Sequence, residues 1–412
     1  MARAILLVID GLGVGAMHDA GAIRPSDTKA NSLLHVSMAA EHSGRGLELP
    51  HLYELGLHAA CPELAPGPLA IRGAAAGRTA LGYPGADTYL GHQTMFGADL
   101  EAIELRVFAT VAADVAAALQ RDGHRIEAIA GSAFLVDGAM VVGDSLEADP
   151  GLNYNVTGSL DLTSFEAILA VSQRVRELTT VARVIAVGGK GLTAADLGAC
   201  VRTADGGVTG IDTPQTGFYR RPGLRVVHIP PPGSTSRLLP NLCIDSGLPV
   251  TLIGKVAEVV RCDGATAIPS VSTSEVFSLL ATALAEQSTG LIAVNVQEAD
   301  LAGHQQDPDV YAEILREVDA ALGTTLRVLS ANDTLIVTGD HGNDPTIGHP
   351  FHTREYVPFL VWSPASARPF TPWADRRTLA DVGAALKSVL ELPSELPQSS
   401  NSADPRRPLG PN

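Results

Sequence analysis

The chain has 412 residues, of which 45% are hydrophobic and 18% charged, as in ordinary globular proteins. Its length accommodates two domains, and its net charge of −16 argues against nucleic acid or an anionic membrane as the main partner. The four cysteines lie far apart without a C-x-x-C pair, which predicts scattered reduced thiols rather than a zinc finger. Since no signal-like start or bilayer-spanning apolar run occurs, we expect a cytoplasmic enzyme.

Apolar periodicity predicts strands that alternate with helices in both terminal portions of the chain. The chain opens with a strand at 4–9, a short helix is expected at 31–40 within the polar segment 17–50, and the glycine-rich segment 66–100 has no clear period. The remaining predicted elements are helices at 108–120, 164–178, 234–246, 273–286 and 308–329, and strands at 126–130, 133–136, 183–187, 224–229, 250–254, 290–296, 334–338 and 357–362.

This alternation is typical of an α/β fold in which helices cover both faces of a sheet. The triple proline at 230–232 indicates a joint, and we expect 101–227 to form an inserted cap domain. Residues 1–100 and 228–395 would then form one catalytic core. The tail at 396–412 is rich in proline, serine and polar residues, which predicts disorder.

The first strand ends in Asp10, followed by glycines, in the stretch ILLVIDGLGVGA. Gly11, Gly13 and Ala16 match the dinucleotide pattern G-x-G-x-x-G/A, but that site also needs a helix whose N-terminus binds the pyrophosphate. No helical period follows here, and Asp10 would repel the pyrophosphate. A metal ligand and an ordinary turn residue are the other interpretations of Asp10.

Acids and histidines also follow two later strands. Asp340 and His341 come directly after one, and Asp300 and His304 come after another, with a spacing that places both on one face of a helix. His352 follows Asp340 by twelve residues. Ligands in an open α/β sheet gather beyond the carboxyl ends of the strands. Each pair alone could be a turn or a surface feature, but together they predict a dinuclear site of the Zn²⁺ or Mn²⁺ type.

A longer series of motifs, spread over about two thirds of the chain, resembles the phosphopentomutase family of the alkaline phosphatase superfamily of metalloenzymes. The stretch DHGNDPTIGHPFHTREYVPFL at 340–360 is similar to the pattern D-H-G-x-D-P-T followed by H-[ST]-R-E-Y-V-P. D-T-x-x-G-H at 87–92, D-x-x-G-H at 300–304 and I-G-K at 253–255 support it. The resemblance implies an alkaline-phosphatase-like core with a mixed, mostly parallel sheet flanked by helices, plus an inserted smaller α/β cap domain.

The resemblance also implies the roles of individual residues. Thr88 stands at the position of the phosphorylated nucleophile, and Lys255 at that of a lysine that assists phosphate binding. Two divalent ions are implied, with Mn²⁺ expected and Zn²⁺ or Mg²⁺ as alternatives, because such ions activate a hydroxyl and clamp a phosphoryl group. The implied ligands are Asp10, Thr88, Asp340 and His341 at one ion and Asp300, His304 and His352 at the other.

The implied activity is that of a phosphomutase, which moves a phosphoryl group between positions of a small-molecule sugar phosphate through a phosphothreonine. The family's substrates are of the ribose 1-phosphate/ribose 5-phosphate type. A phosphohydrolase with the same nucleophile and metals is the alternative, since water can accept the phosphoryl group instead. A catalytically silent binding protein is a further alternative. A sulfatase is set aside, because the residues after Cys61 do not fit C-x-P-x-R.

The middle segment departs from the family pattern. Val187 stands where an arginine is expected, and the arginine-rich motif that family members use around the substrate is absent from the sequence. Arg220 and Arg221 are candidate replacements, with a solvated arginine pair as the alternative. The sequence makes no prediction about the oligomeric state.

Overall fold

The computed structural model describes residues 2–65, 67–98, 100, 103–146, 149–203, 207–213, 217–218, 221–231 and 238–393. The chain divides into two compact units, Met1–Asp99 with Thr235–Asn412 and Leu100–Ser234, which we call the core unit and the inserted unit. The segment 396–412, for which we predict disorder, lies outside the described residues.

Sixteen strands and fourteen α-helices occur within the described residues. The strands are β1 (Arg3–Ile9), β2 (Ala74–Thr79), β3 (Ile126–Ala130), β4 (Ala133–Val136), β5 (Met140–Ser145), β6 (Asn153–Ser159), β7 (Arg183–Gly189), β8 (Val201–Thr203), β9 (Thr209–Ile211), β10 (Arg225–Ile229), β11 (Val250–Ile253), β12 (Thr266–Ile268), β13 (Gly290–Val296), β14 (Asp333–Thr338), β15 (Val357–Trp362) and β16 (Thr371–Pro372).

The helices are α1 (Ala20–Ile23), α2 (Ser32–His42), α3 (Pro50–Glu54), α4 (Leu57–Ala60), α5 (Thr88–Met95), α6 (Ala112–Arg121), α7 (Phe165–Glu177), α8 (Ala194–Ala199), α9 (Leu239–Asp245), α10 (Val256–Val259), α11 (Thr273–Glu286), α12 (Glu298–His304), α13 (Pro308–Val328) and α14 (Ala380–Val389). Among the described residues, none of these helices combines the length and the apolar character needed to cross a membrane.

The sheet of the core unit has the strand order β12-β11-β13-β1-β14-β15-β2-β16. Neighbours from β12 to β14 pair in parallel, whereas β15 is antiparallel to both β14 and β2. Every residue of β1 and β13 is buried, as expected for parallel strands covered by helices. Side chains of α2, α11 and α13 form one apolar cluster with those of β1 and β13, while α9 and α14 also contact the sheet. The predicted mixed, mostly parallel α/β sheet is confirmed.

The topology brings several strand ends to one edge of this sheet. β1 lies between β13 and β14, and β11 lies beyond β13, all four in the same direction. The segments that follow these four strands therefore leave the sheet at a common edge, where ligands bind in open α/β folds.

The sheet of the inserted unit has the order β10-β7-β6-β5-β4-β3, with β9 beside β5 and β8 beside β9. Its two faces are covered by separate apolar clusters, one around Tyr154 and Phe165 and the other around Val187 and Phe218. Val187, which stands where the family pattern has an arginine, is thus a fully buried core residue. Arg220 lies outside the described residues, and Arg221 donates a hydrogen bond to the carbonyl of Gly191 at 3.3 Å.

The segment 66–100, which has no clear apolar period in the sequence, contains β2 and α5. All eight residues of α5 are buried, so the helix has no exposed face and no amphipathic period. The predicted helix at 108–120 begins only at Ala112, after a short 3₁₀ turn at Phe108–Thr110. The elements that have no predicted counterpart also include strands β5, β6, β8, β9, β12 and β16 and helices α1, α3, α4, α8, α10 and α14.

Candidate active site

The residues predicted from strand ends meet at the common edge of the core sheet. Asp10 follows β1, Lys255 follows β11, and Asp340 follows β14. Asp300 and His304 lie on α12, which follows β13, so their predicted helical spacing is found in the structure. The glycine loop after β1 leads into no helix before the four-residue α1, which is unlike a dinucleotide-binding loop.

The deepest part of the site consists of Asp10, Asp340 and His341, which we call the inner group. All three side chains are fully buried. The Nε2 atom of His341 lies 3.4 Å from Oδ1 of Asp10 and 3.4 Å from Oδ2 of Asp340. Among the described residues, neither Asp10 Oδ1 nor His341 Nε2 has a hydrogen-bond partner. Buried polar atoms are normally paired, so two facing orphan ligand atoms fit a position for a cation.

Thr88 borders the inner group from the first turn of α5. Its hydroxyl donates a hydrogen bond to Oδ2 of Asp340 at 2.6 Å. The helix begins here because the Asp87 side chain caps it by accepting from the Leu90 amide at 3.0 Å. Gly91 allows the helix to approach closely, since a Cβ at this position would lie 2.5 Å from the carbonyl oxygen of Asp340.

Asp300, His304 and His352 form a second cluster, which we call the outer group. Oδ2 of Asp300 lies 3.3 Å from His304 Nε2, and Oδ1 lies 3.5 Å from His352 Nε2. The Nδ1 atoms of the two histidines face the carbonyls of Pro350 and Ala86, at 2.6 and 3.2 Å. A carbonyl only accepts, so a proton belongs on Nδ1 of each ring, and Nε2 is the atom through which the neutral form of either ring would bind a cation. The Nε2 atoms of His304 and His352 lie 3.1 Å apart, which is a suitable arrangement for a shared ion.

His341 lies between the inner and the outer group. Its ring stacks on that of His352, with 3.7 Å between the ring centroids. The candidate ligand atoms of Asp10, Asp340 and His341 lie within 4.8 Å of one another, and so do those of Asp300, His341 and His352. The sequence predicted His304 rather than His341 in the second set; the structure places both beside His352.

Lys255 connects the two groups. Its ammonium lies 3.0 Å from Oδ2 of Asp10 and 3.5 Å from Oδ2 of Asp300. Burial opposes the charge, but the carboxylates of Asp10 and Asp300 outweigh it and raise the pKa of Lys255 above its usual value. Lys255 therefore stays cationic at the centre of the site.

Burial and crowding make the site electrostatically unusual. Burial, reinforced by the charge of Asp340, raises the pKa of Asp10 to about 7. Burial, reinforced by the neighbouring His341, holds the pKa of His352 well below its usual value. At His304 burial opposes the charge, but the carboxylate of Asp300 outweighs it and raises the pKa of His304 to about 9. A neutral imidazole such as His352 beside crowded carboxylates is the kind of donor that a divalent cation requires.

Sequence reasoning did not identify three supporting residues. Asn343 donates to Oδ1 of Asp300 at 2.8 Å. Asn295 donates a hydrogen bond to Oδ2 of Asp10, and Nδ1 of His92 contacts the carbonyl oxygen of Thr88. Asn343 and His92 belong to the quoted motifs DHGNDPT and DTYLGH, which are a signal for them. Asn295 has no such signal beyond being the only amide side chain in an apolar strand.

The chain is similar to known metalloenzymes over most of its length. The family model described as Metalloenzyme superfamily matches residues 241–393. A phosphopentomutase of Symbiobacterium thermophilum is 31% identical over 407 residues, covering 95% of each chain. One of Syntrophotalea carbinolica is 31% identical over 380 residues, covering 88% of each. Among solved structures, the PH0037 protein of Pyrococcus horikoshii has a TM-score of 0.44 at 14% identity, covering 96% of this chain and 99% of that one.

The match to the metalloenzyme family model indicates a metal-dependent enzyme. The match to full-length relatives is more specific, because it extends over nearly the whole chain. The chain belongs to the phosphopentomutase family, and the resemblance predicted from the sequence is confirmed. It is therefore an enzyme of the metal-dependent phosphomutase type.

Proposed function

We propose that this enzyme moves a phosphoryl group between the 1- and 5-positions of ribose phosphate, with Thr88 carrying the group between the two half-reactions. The observation that carries the proposal is the 2.6 Å hydrogen bond from the Thr88 hydroxyl to Asp340, beside the unpartnered ligand atoms of the inner group. The names of the two relatives described above, both phosphopentomutases, support a pentose phosphate as substrate.

The proposal includes two divalent ions, with Mn²⁺ expected from the family resemblance and Zn²⁺ or Mg²⁺ as alternatives; mixed carboxylate and imidazole ligands suit ions of the Zn²⁺ or Mn²⁺ type. The inner group with Thr88 would hold one ion, and the outer group the other. Bound there, the ions would acidify the threonine hydroxyl and offset the charge of the phosphate.

The chain's own residues have separate tasks in this scheme. Asp340 orients the Thr88 hydroxyl by accepting its hydrogen bond. Lys255 has three N–H donors, two of which point to Asp10 and Asp300. The third is available for an oxygen of the phosphoryl group, which supports a role of Lys255 in phosphate binding.

A mutase must retain its phosphoenzyme until the acceptor hydroxyl of the sugar arrives. Water must therefore be kept away, which is usually the task of a closing domain. We assign this task to residues 101–227 as the cap domain, because the inserted unit has apolar clusters of its own and contributes none of the site residues named above. If water enters instead, the same Thr88 chemistry becomes that of a phosphohydrolase.

The test is mass spectrometry of protein incubated with Mn²⁺ and ribose 1,5-bisphosphate. Trypsin should release the peptide 79–106, which contains three threonines, Thr79, Thr88 and Thr94. We expect one phosphate, located on Thr88 by fragmentation, and conversion of ribose 1-phosphate to ribose 5-phosphate with little free phosphate.

A matched control is Thr94→Val, which removes a buried hydroxyl from the same helix and should leave the phosphorylation unchanged. Release of free phosphate at the rate of substrate loss would establish the hydrolase instead. Full turnover without any phosphate on Thr88 would refute the covalent scheme.

A further inference from the structure

Asn295 is an unusual residue for its position. It lies near the end of β13, whose sequence GLIAVNV is otherwise apolar, and its side chain is fully buried. Burying an amide costs free energy unless it forms hydrogen bonds. Its Nδ2 lies 3.2 Å from Oδ2 of Asp10 and 3.3 Å from Nε2 of His92. Among the described residues, Oδ1 of Asn295 has no partner, so the side chain is held through Nδ2.

His92 determines the direction of these hydrogen bonds. Its Nδ1 lies 2.8 Å from the carbonyl oxygen of Thr88, one turn earlier on α5. Because a carbonyl only accepts, Nδ1 carries the proton and Nε2 accepts from Asn295. The second hydrogen of the Asn295 amide is then donated to Asp10.

The hydrogen bonds thus form a continuous relay from the backbone of Thr88 through His92 and Asn295 to Asp10. At its end, Oδ2 of Asp10 is occupied by Asn295 and by Lys255. The other oxygen, Oδ1, is the one that faces His341 without a hydrogen bond. The relay therefore selects which carboxylate oxygen is presented to the site.

We propose that His92 and Asn295 are positioning residues that hold the nucleophile Thr88 and the inner-group ligand Asp10 in one fixed arrangement. This inference rests on the proposed metal site at the inner group. The proposal predicts that changes at His92 or Asn295 lower the affinity for that ion alone. If the two residues had only a general structural role, the changes would lower the affinity for both ions or only destabilise the fold.

The first test is calorimetric titration of metal-free protein with Mn²⁺. Asn295→Leu keeps the approximate size of the side chain and removes both donors. We expect the affinity for one ion to fall about 10- to 100-fold, as is typical when a residue that hydrogen-bonds to a metal ligand is removed. The affinity for the second ion should be unchanged. Thr251→Val is the control, because it removes a buried hydroxyl from the neighbouring strand β11 that bonds to Gln287 rather than to a residue of the site. Equal affinities in Asn295→Leu and the wild type would overturn the proposal.

The second test separates the two hydrogen bonds of His92. At position 92 the amide nitrogen of an asparagine could donate in place of Nδ1, and the side-chain oxygen of a glutamine could accept in place of Nε2. We expect His92→Gln to retain more Mn²⁺ affinity than His92→Leu, because it still accepts from Asn295. The double variant His92→Leu/Asn295→Leu should bind no more weakly than Asn295→Leu alone, since both break one relay. Additive losses would contradict the relay.

Two measurements keep the result interpretable if a variant folds poorly. Melting of the metal-free proteins reports the fold, and variants that melt like the wild type but bind the inner ion weakly support a positioning role. Nitrogen-15 spectra should show His92 with its proton on Nδ1 in metal-free wild type; a proton on Nε2 would overturn the relay. Neither readout needs turnover, so the proposed phosphomutase reaction can fail without deciding this inference.

Discussion

The inner and outer groups differ in how the protein holds them. In the inner group the backbone amide of Gly11 donates to Oδ1 of Asp340 at 3.2 Å, and Asn295 donates to Asp10. All inner side chains are inaccessible to solvent. In the outer group the His304 side chain is 36% exposed, and its ring is held by the carbonyl of Pro350, in a loop.

This difference indicates that the two groups have different roles within one site. The inner group is built by strand ends of the central sheet and by the packed helix α5, so its geometry is fixed with the fold. The outer group depends on α12 and on the loop that carries His352. We therefore expect the inner ion to activate Thr88, and the outer ion to exchange more readily with solvent.

Removal of the nucleophile should give the largest effect. In Thr88→Ala we expect turnover to fall by more than about 10⁴-fold, as when a covalent nucleophile is deleted. Thr88→Ser should keep part of the activity because the hydroxyl remains. A coupled assay for ribose 5-phosphate measures both. Outer-group affinity for Mn²⁺ should be unchanged in Thr88→Ala, and near-normal turnover would refute the assigned role.

Removal of the inner-group carboxylates should nearly abolish the binding of one ion. Asp10→Asn should lower the affinity for that ion by more than about 100-fold, because it removes a direct ligand, whereas loss of a residue that only hydrogen-bonds to a ligand typically costs roughly 10- to 100-fold. Asp10→Asn/Asp340→Asn should cost little more than one change, since ligands of one ion act as a unit. Asp300→Asn should weaken the other ion instead. Metal content and calorimetry distinguish these patterns, and loss of the same ion in every variant would erase the distinction between the groups.

The close approach of α5 to the inner group can be tested with a methyl group. In Gly91→Ala the new Cβ would lie 2.9 Å from Cβ of Asp340 as well as against its carbonyl. We expect a loss of about 1–3 kcal/mol in the free energy of unfolding, together with reduced turnover. Gly198→Ala on α8 is the matched control, because its nearest neighbour is 4.0 Å away. It should be neutral or stabilising by up to about 1 kcal/mol in urea unfolding.

The smallest effect should come from a pair that supports the loop of the outer group. His35 Nδ1 lies 2.5 Å from Asp344, next to Asn343, which holds Asp300. Hydrogen bonding to Asp344 raises the pKa of His35 above its usual 6.5. The raised pKa stabilises the protein below the unfolded pKa, and this contribution is lost as pH rises through the folded one.

The corresponding variant is His35→Gln. Near pH 6 the free energy of unfolding of the wild type should exceed that of the variant by up to about 1 kcal/mol, a small value because His35 is partly exposed to solvent. The difference should shrink toward pH 9, because His35 then loses its proton. Denaturant titrations at both pH values measure the change. A difference that grows with pH would contradict the assigned ion pair.

The sequence indicated a group of acids and histidines as the candidate site because most of them follow apolar strands, whereas it identified Thr88 and Lys255 only through the family resemblance. It did not predict that His341 would lie between the two groups, since that depends on how Asp300 and His352 are brought together in space. Helix α5 was missed because it is buried on all sides. Strand β6 was missed because its alternate side chains, such as Asn155 and Thr157, are polar and yet buried, so the usual alternation of core and surface does not apply.

The most direct test of the two-group site is a crystal structure of the Mn²⁺-loaded enzyme with anomalous diffraction at the manganese edge. Two peaks are expected, about 3.5–4 Å apart as in other two-metal sites. One should contact Oδ1 of Asp10 and Nε2 of His341, and the other should contact Asp300 and His352. A single peak, or peaks away from these atoms, would contradict the account.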